Sequence, residues 1–375
     1  MALSAFPGAN WAIRTPAEVG LLESALASLA SAVGGRGMVV RHGYQCYSWG
    51  NLTTKGDVAS AAKPVIQTMG LFAVQEALIS DMDVLISTFG RSLVTKDLSM
   101  TLRHLTNMTS GYGMAEDPGD AFAYNDYAVQ LLAMTVFDDI FAEASPNTAA
   151  LNALRFGAIG LEDGALFGSR GGYGVETSVR DLARIGLLWL NRGHWNGTQV
   201  LSAALMDEAL AVRVPTTTPI SSTGNLSGSD YLSIGTFGGD WNQSAVGPGF
   251  YGSAWWHNSL VGTTGNIAWP ALPRDTFMAQ GSFNQEFIIC IPSLDIVCVG
   301  LGDWGTFDPG NAGASMNTRL GFLAAAAAGQ IGQLAFRGRN DDGSETTATW
   351  KAAENTDFTV APDATFRLRM QVGGL

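Results

Sequence analysis

The chain has 375 residues, a formal net charge of −12 and a composition that is 46% hydrophobic and only 14% charged. A binder of polyanions needs a basic face, so this balance excludes nucleic acid and anionic membrane as expected partners. No run is apolar enough to span a bilayer, and residues 1–8 carry neither a basic n-region nor an apolar h-region, so the chain reads as soluble, with a cytoplasmic location favoured.

Residues 16–33 carry Val19, Leu22, Leu26, Leu29 and Val33 at helical spacing and end at Gly34-Gly35. Residues 38–40 and 45–49 flank Arg41-His42-Gly43-Tyr44 as a β-hairpin. A second helix begins around Ser60 and continues through Val65, Met69 and Phe72; the pattern then stays mostly helical to about residue 210, with 98–107, 125–136 and 178–191 as its clearest pieces. Residues 216–225, rich in Thr, Ser and Gly, read as a loop. Strand patterns return at 277–280, 286–292 and 296–301, an alanine-rich helix follows over 312–333, and the tail holds strand-like pieces at 346–352 and 365–372 with no assigned place. Cys46, Cys290 and Cys298 lie in apolar, strand-like surroundings and read as buried thiols.

This order implies an α+β fold, an antiparallel sheet flanked by N- and C-terminal helices with an inserted, mostly helical region. Residues 1–65 and 236–335 are expected to form the sheet domain, 66–235 the inserted region and 336–375 a C-terminal extension. The length alone, beyond one compact core, agrees with two lobes or one large domain carrying an insertion.

The chemistry centres on Ser60-Ala61-Ala62-Lys63. Residues i and i+3 share a helix face, so Lys63 as a free amine can take the proton from Ser60 Oγ, a nucleophile with its base built in. Tyr124, at the mouth of the 125–136 helix, offers a phenol to pass that proton onward. Ala279-Gln280-Gly281-Ser282 reads as an edge strand where the missing Cβ of Gly281 lets a substrate come close, and a backbone N–H there joins that of Ser60 in an oxyanion hole. Trp256 and His257, in Trp255-Trp256-His257, are candidate lining of a substrate pocket, and Tyr173 is a candidate to reach the cleft from the loop before the 178–191 helix. His104 and Asp181 read as structural helix residues.

Several stretches follow one another in a single order: Asp57-Val58-Ala59-Ser60-Ala61-Ala62-Lys63-Pro64, Thr101-Leu102-Arg103-His104-Leu105-Thr106-Asn107-Met108-Thr109-Ser110-Gly111, Tyr124-Asn125-Asp126, Arg180-Asp181-Leu182-Ala183-Arg184 and Gly281-Ser282-Phe283-Asn284-Gln285. Over roughly residues 16–330 this order resembles the serine β-lactamase-like hydrolases, which include class C β-lactamases, D-alanyl carboxypeptidases, family VIII carboxylesterases and nylon-oligomer hydrolases. The resemblance implies acyl-enzyme chemistry on an ester or amide carbonyl with no metal and no organic cofactor. It makes Ser60 the nucleophile, Lys63 its base with a pKa lowered by desolvation, Tyr124 the partner in proton transfer, and the Ser60 and Ser282 amides the oxyanion hole.

Two positions depart from the family pattern. Asp126 stands where the family has Asn, which places a negative charge beside the lysine, and Ala279-Gln280-Gly281 replaces Lys-Thr-Gly, whose lysine recognises a substrate carboxylate. A small-molecule ester or amide is therefore the expected substrate. An acyltransferase, a β-lactamase or D-alanyl carboxypeptidase, and a non-hydrolytic sensor of the same fold are the alternatives.

Overall fold

The computed structural model describes residues 5–328, apart from 225, 241, 244 and 245, and residues 331–340, 349, 353 and 366–374. Its centre is a seven-stranded sheet built from both ends of the chain. The first two strands, β1 (Arg36–Arg41) and β2 (Tyr44–Trp49), form the expected hairpin. His42 and Gly43 occupy its turn with φ of 54° and 79°, the pair of left-handed conformations that matches the twist of tightly joined strands. His42 Nδ1 lies 2.8 Å from Asp295 Oδ2, which pins this turn to its neighbour across the sheet.

The remaining strands are β3 (Tyr251–Gly252), β4 (Trp255–His257), β5 (Phe277–Gln280), β6 (Glu286–Ile291) and β7 (Ile296–Leu301). The order across the sheet is β2-β1-β7-β6-β5-β4-β3, every adjacent pair antiparallel. Strands β6 and β7 are apolar at consecutive positions because both of their faces are covered, as burial at nearly every residue shows. Helix α1 (Glu23–Val33) buries Leu26, Leu29 and Val33 and packs against the C-terminal α5 (Ser315–Ala328). The turn around Ser60 leads into α2 (Lys63–Gln75), and α3 (Asp126–Met134) and α4 (Val179–Leu190) follow within the inserted segment.

Four features differ from the expectation. The helix over 16–33 is broken, because Gly20 turns left-handed at φ 71° between a short 3-10 turn at Ala17–Val19 and α1. Helix α4, placed by sequence in the inserted region, packs directly on β1, β6 and β7. Its Gly186 permits this contact, since a Cβ there would sit 2.7 Å from Val297 Cγ1 and 2.9 Å from Ile288 Cγ2. Strands β3 and β4 extend the sheet beyond β5, where no strand pattern was legible. Finally, α5 ends at Ala328, and Ile331–Asn340 pairs with Phe366–Gly374 as a separate two-stranded sheet. The expected strand at 346–352 lies outside the described residues, save 349. Cys46, Cys290 and Cys298 are buried and unbridged. Among the described residues no helix is long and apolar enough to cross a membrane.

Candidate active site

Ser60 sits on a 3-10 turn, Ala59–Ala62, that feeds straight into α2, so Lys63 is the first residue of the α-helix. The turn is held from several sides. The Val58 N–H donates to the Val175 carbonyl at 3.0 Å, and the Ala59 N–H donates to Asp57 Oδ1 at 2.8 Å. These bonds keep Ala59 left-handed at φ 47°, a conformation costing on the order of 1 kcal/mol for a residue with a Cβ. The Lys63 ammonium reaches Ser60 Oγ at 2.5 Å.

Lys63 is fully enclosed. Its Nζ lies 3.1 Å from Asp126 Oδ1, 4.5 Å from the centre of the Tyr124 ring and 5.6 Å from that of Phe237, and it is hydrogen-bonded to the Tyr124 hydroxyl. Burial by itself pushes the ammonium down, but the charge and hydrogen bonds of Asp126 and Tyr124 outweigh it and hold the Lys63 pKa above the ordinary lysine value. The direction is opposite to the desolvated, lowered amine expected from the family resemblance. The physical reason is Asp126, which points at the lysine instead of turning away. Its other oxygen, Oδ2, accepts a hydrogen bond from Gln243 Nε2 at 3.0 Å, and its backbone carbonyl accepts one from the Phe237 N–H at 3.1 Å.

A cleft of about 190 Å³ opens over Ser60. Tyr124 and Trp256 form one wall as stacked rings 5.9 Å apart, and Phe307 meets Trp256 edge-on at 5.4 Å. The opposite side is Gln280, Gly281 and Ser282, with Gln280 Nε2 donating to Asn284 Oδ1 at 2.8 Å. Gln243 and Val246 complete the rim. No charged side chain is among the described residues that line it.

No protein-family model matches the sequence, and no curated protein matches it. Solved structures do. A Bacillus anthracis protein assigned as a 6-aminohexanoate-dimer hydrolase superposes with a TM-score of 0.57 at 16% identity over 88% of each chain. A β-lactamase from Mycobacterium bovis gives 0.55 at 20% identity over 81% of this chain and 97% of its own. EstCE1, described as a hydrolase with promiscuous acyltransferase activity, gives 0.54 at 13% identity over 83% and 97%. The chain has the β-lactamase-like fold.

Within that fold Ser60, Lys63, Tyr124, Asp126, Trp256, Gln280, Gly281 and Ser282 are brought together around one cleft or directly behind it. Tyr173 and His257 are not. The Tyr173 hydroxyl donates to Asp138 Oδ2 at 2.5 Å and its ring packs on Phe137, away from Ser60. His257 is a buried strand residue whose Nε2 lies 3.4 Å from the Gly252 carbonyl, and burial pushes its pKa down to about 4, so it is neutral at physiological pH. His104 is structural, closing a capping box with Thr101.

Gly281 is a glycine for a different reason from the one its sequence context gave. A Cβ there would meet protein: 2.2 Å from Glu286 Oε2 and 2.8 Å from the Val58 carbonyl oxygen. The small residue lets the end of β5 close on the Ser60 turn. Gly281→Ala is accordingly expected to destabilise the fold by about 1–3 kcal/mol. Denaturant unfolding checks this, and an unchanged midpoint would count against the tight contact.

Sequence reasoning missed Gln243, Val246, Phe307 and the backing residues Phe237 and Arg170. Arg170 pairs with Asp57 at 3.0 Å and donates to the Phe237 carbonyl at 2.6 Å, so it links the anchor of the Ser60 turn to the strip behind Lys63. The one nearby sequence reading, a loop over 216–225, names a segment that contains none of them.

Proposed function

We propose that this protein is a serine hydrolase that cleaves a small, uncharged ester or amide through an acyl-enzyme on Ser60. The observation that carries the reading is the 2.5 Å approach of Lys63 Nζ to Ser60 Oγ at the floor of a cleft. In the working form Lys63 is the free amine. It takes the Ser60 proton as Oγ attacks the carbonyl carbon, and Tyr124, hydrogen-bonded to the same nitrogen, relays a proton to the leaving oxygen or nitrogen. Ser60 and Ser282 both line the cleft, and their amides are the donors assigned to the oxyanion. Water then enters on the same path and releases the acid. Because the Lys63 ammonium is stabilised, the free amine is the minor form at neutral pH, and the rate is expected to climb with pH.

The neutral lining favours an acyl group without a carboxylate, and the Trp256–Phe307 wall favours an apolar one. The names of the solved neighbours are in keeping with ester, amide and acyl-transfer chemistry on this fold. A fluorophosphonate probe followed by peptide mass spectrometry tests the reading: one adduct on Ser60 is expected. A protein that stays unmodified at Ser60, and that turns over none of a panel of short-chain esters and amides between pH 6 and 10, would defeat it.

A further inference from the structure

Behind the strand side of the cleft lies an acidic group that the mechanism above does not use. Glu286, at the start of β6, directs its carboxyl group into the space that a side chain on Gly281 would fill, beside the Val58 carbonyl. The Gly281 N–H donates to the Glu286 carbonyl at 2.6 Å, so the two residues are locked together. Glu286 Oε2 is buried and has no hydrogen-bond partner among the described residues. The carboxyl group thus sits against both pieces of chain whose amides border the oxyanion position, the Val58–Ser60 turn and Gly281-Ser282. The charged groups around it are Asp57, Arg170 and Arg36. Neither arginine is within ion-pair distance of it: Arg170 is committed to Asp57 and Phe237, and Arg36, whose Nε is itself buried without a hydrogen-bond partner among the described residues, lies beside Gly56.

We propose that Glu286 is a positioning residue that tunes the oxyanion half-site, leaving it fully competent only while its carboxyl group carries no charge. The proposal rests on the acyl-enzyme reading of Ser60. Its physical basis is simple. A negative charge directly behind Gly281 opposes the negative charge that develops on the substrate oxygen in front of Ser282. It also repels Asp57, which anchors Ala59. Burial, then the Asp57 charge, raise the Glu286 pKa to about 7 against the opposing pull of Arg170 and Arg36, so the change of state falls in the working range of an enzyme.

The test compares wild type with Glu286→Gln, an isosteric group that cannot ionise. The ratio of variant to wild-type kcat/KM is expected to be flat below pH 6 and to rise roughly tenfold through pH 7 to a plateau, the size expected for one like charge in a partly solvated site. Taking the ratio removes the contribution of Lys63, which titrates in both proteins. A second readout is independent of activity. A carboxyl whose folded pKa lies above its unfolded value contributes stability that is present below about pH 4.5 and lost as pH rises through about 7. The Tm of Glu286→Gln relative to wild type is therefore expected to increase between pH 5 and pH 8. A pH-independent activity ratio in a folded variant whose Ser60 reacts with fluorophosphonate would overturn the proposal, as would a Tm difference that does not change with pH. Failure of Ser60 to react at any pH in wild type would instead overturn the acyl-enzyme reading, and this inference with it.

Discussion

Lys63→Met is expected to lower kcat/KM for an activated ester by about 10²–10⁴-fold, the usual worth of a positioned general base. It should do more than that to the fold. Lys63 is enclosed, and its removal leaves the Asp126 carboxylate with Gln243 as its remaining side-chain hydrogen-bond partner, in a place only 3% exposed to solvent. Breaking a buried ion pair from one side costs about 3–5 kcal/mol, because an uncompensated charge stays behind. Adding Asp126→Asn to Lys63→Met removes the stranded charge and should recover much of the stability while recovering none of the activity. Urea unfolding, beside initial rates, checks both halves. A single variant as stable as wild type at pH 8 would show that Asp126 does not need its cation.

Asp126→Asn alone is expected to move the pH–rate profile. Wild type holds Lys63 as the ammonium chiefly through the carboxylate 3.1 Å away, assisted by Tyr124. Removing that charge leaves the effect of burial, which lowers a lysine pKa, less strongly opposed. The acidic limb of kcat/KM should shift to lower pH by about 1–3 units, the range for an opposite charge at contact distance. At pH 7, below the limb, the variant should be faster than wild type by about tenfold or more. Gln243 can still bond to the side-chain oxygen of asparagine, so the loop need not move. An acidic limb in the same place for both proteins would mean that some group other than Lys63 controls the rate. The pH dependence of fluorophosphonate labelling gives the same answer without a substrate.

What the sequence made legible was local or periodic. Ser60 and Lys63 are read together because three residues of helical chain bring their side chains to one face, and nothing distant is needed to predict their contact. The strands at 286–292 and 296–301 show as runs of branched and aromatic residues, whereas Tyr251–Gly252 and Trp255–His257 are too short to show any alternation. Their strand character comes from pairing, β4 with β5 and β3 with β4. His257, read from the tryptophans before it, and Tyr173, read from the loop it sits on, are carried away from the cleft by the path of the chain. Asp126 was visible as a departure from a motif, but its orientation depends on Gln243 and Phe237, more than a hundred residues away. Gly281 was recognised as a place that needs a glycine, and only the packing of Glu286 and Val58 shows what it makes room for.

The order of strands in the sheet has a consequence for the birth of the molecule. The N-terminal hairpin leaves the ribosome early, yet β1 has β7 as its second neighbour, a partner some 260 residues later in the sequence as the register Arg36↔Leu301 shows. The Ser60 turn is also made early, and the strand end that closes on it, with Gly281 and Glu286, is made more than 200 residues afterwards. Until then β1 has an open edge and Ser60 has no opposite wall. Closing loops of that length places folding among the slow, high-contact-order cases. A nascent or truncated chain ending before residue 301 therefore carries the Ser60 turn without the strand end that closes on it, and with an unpaired strand edge that invites association with other chains.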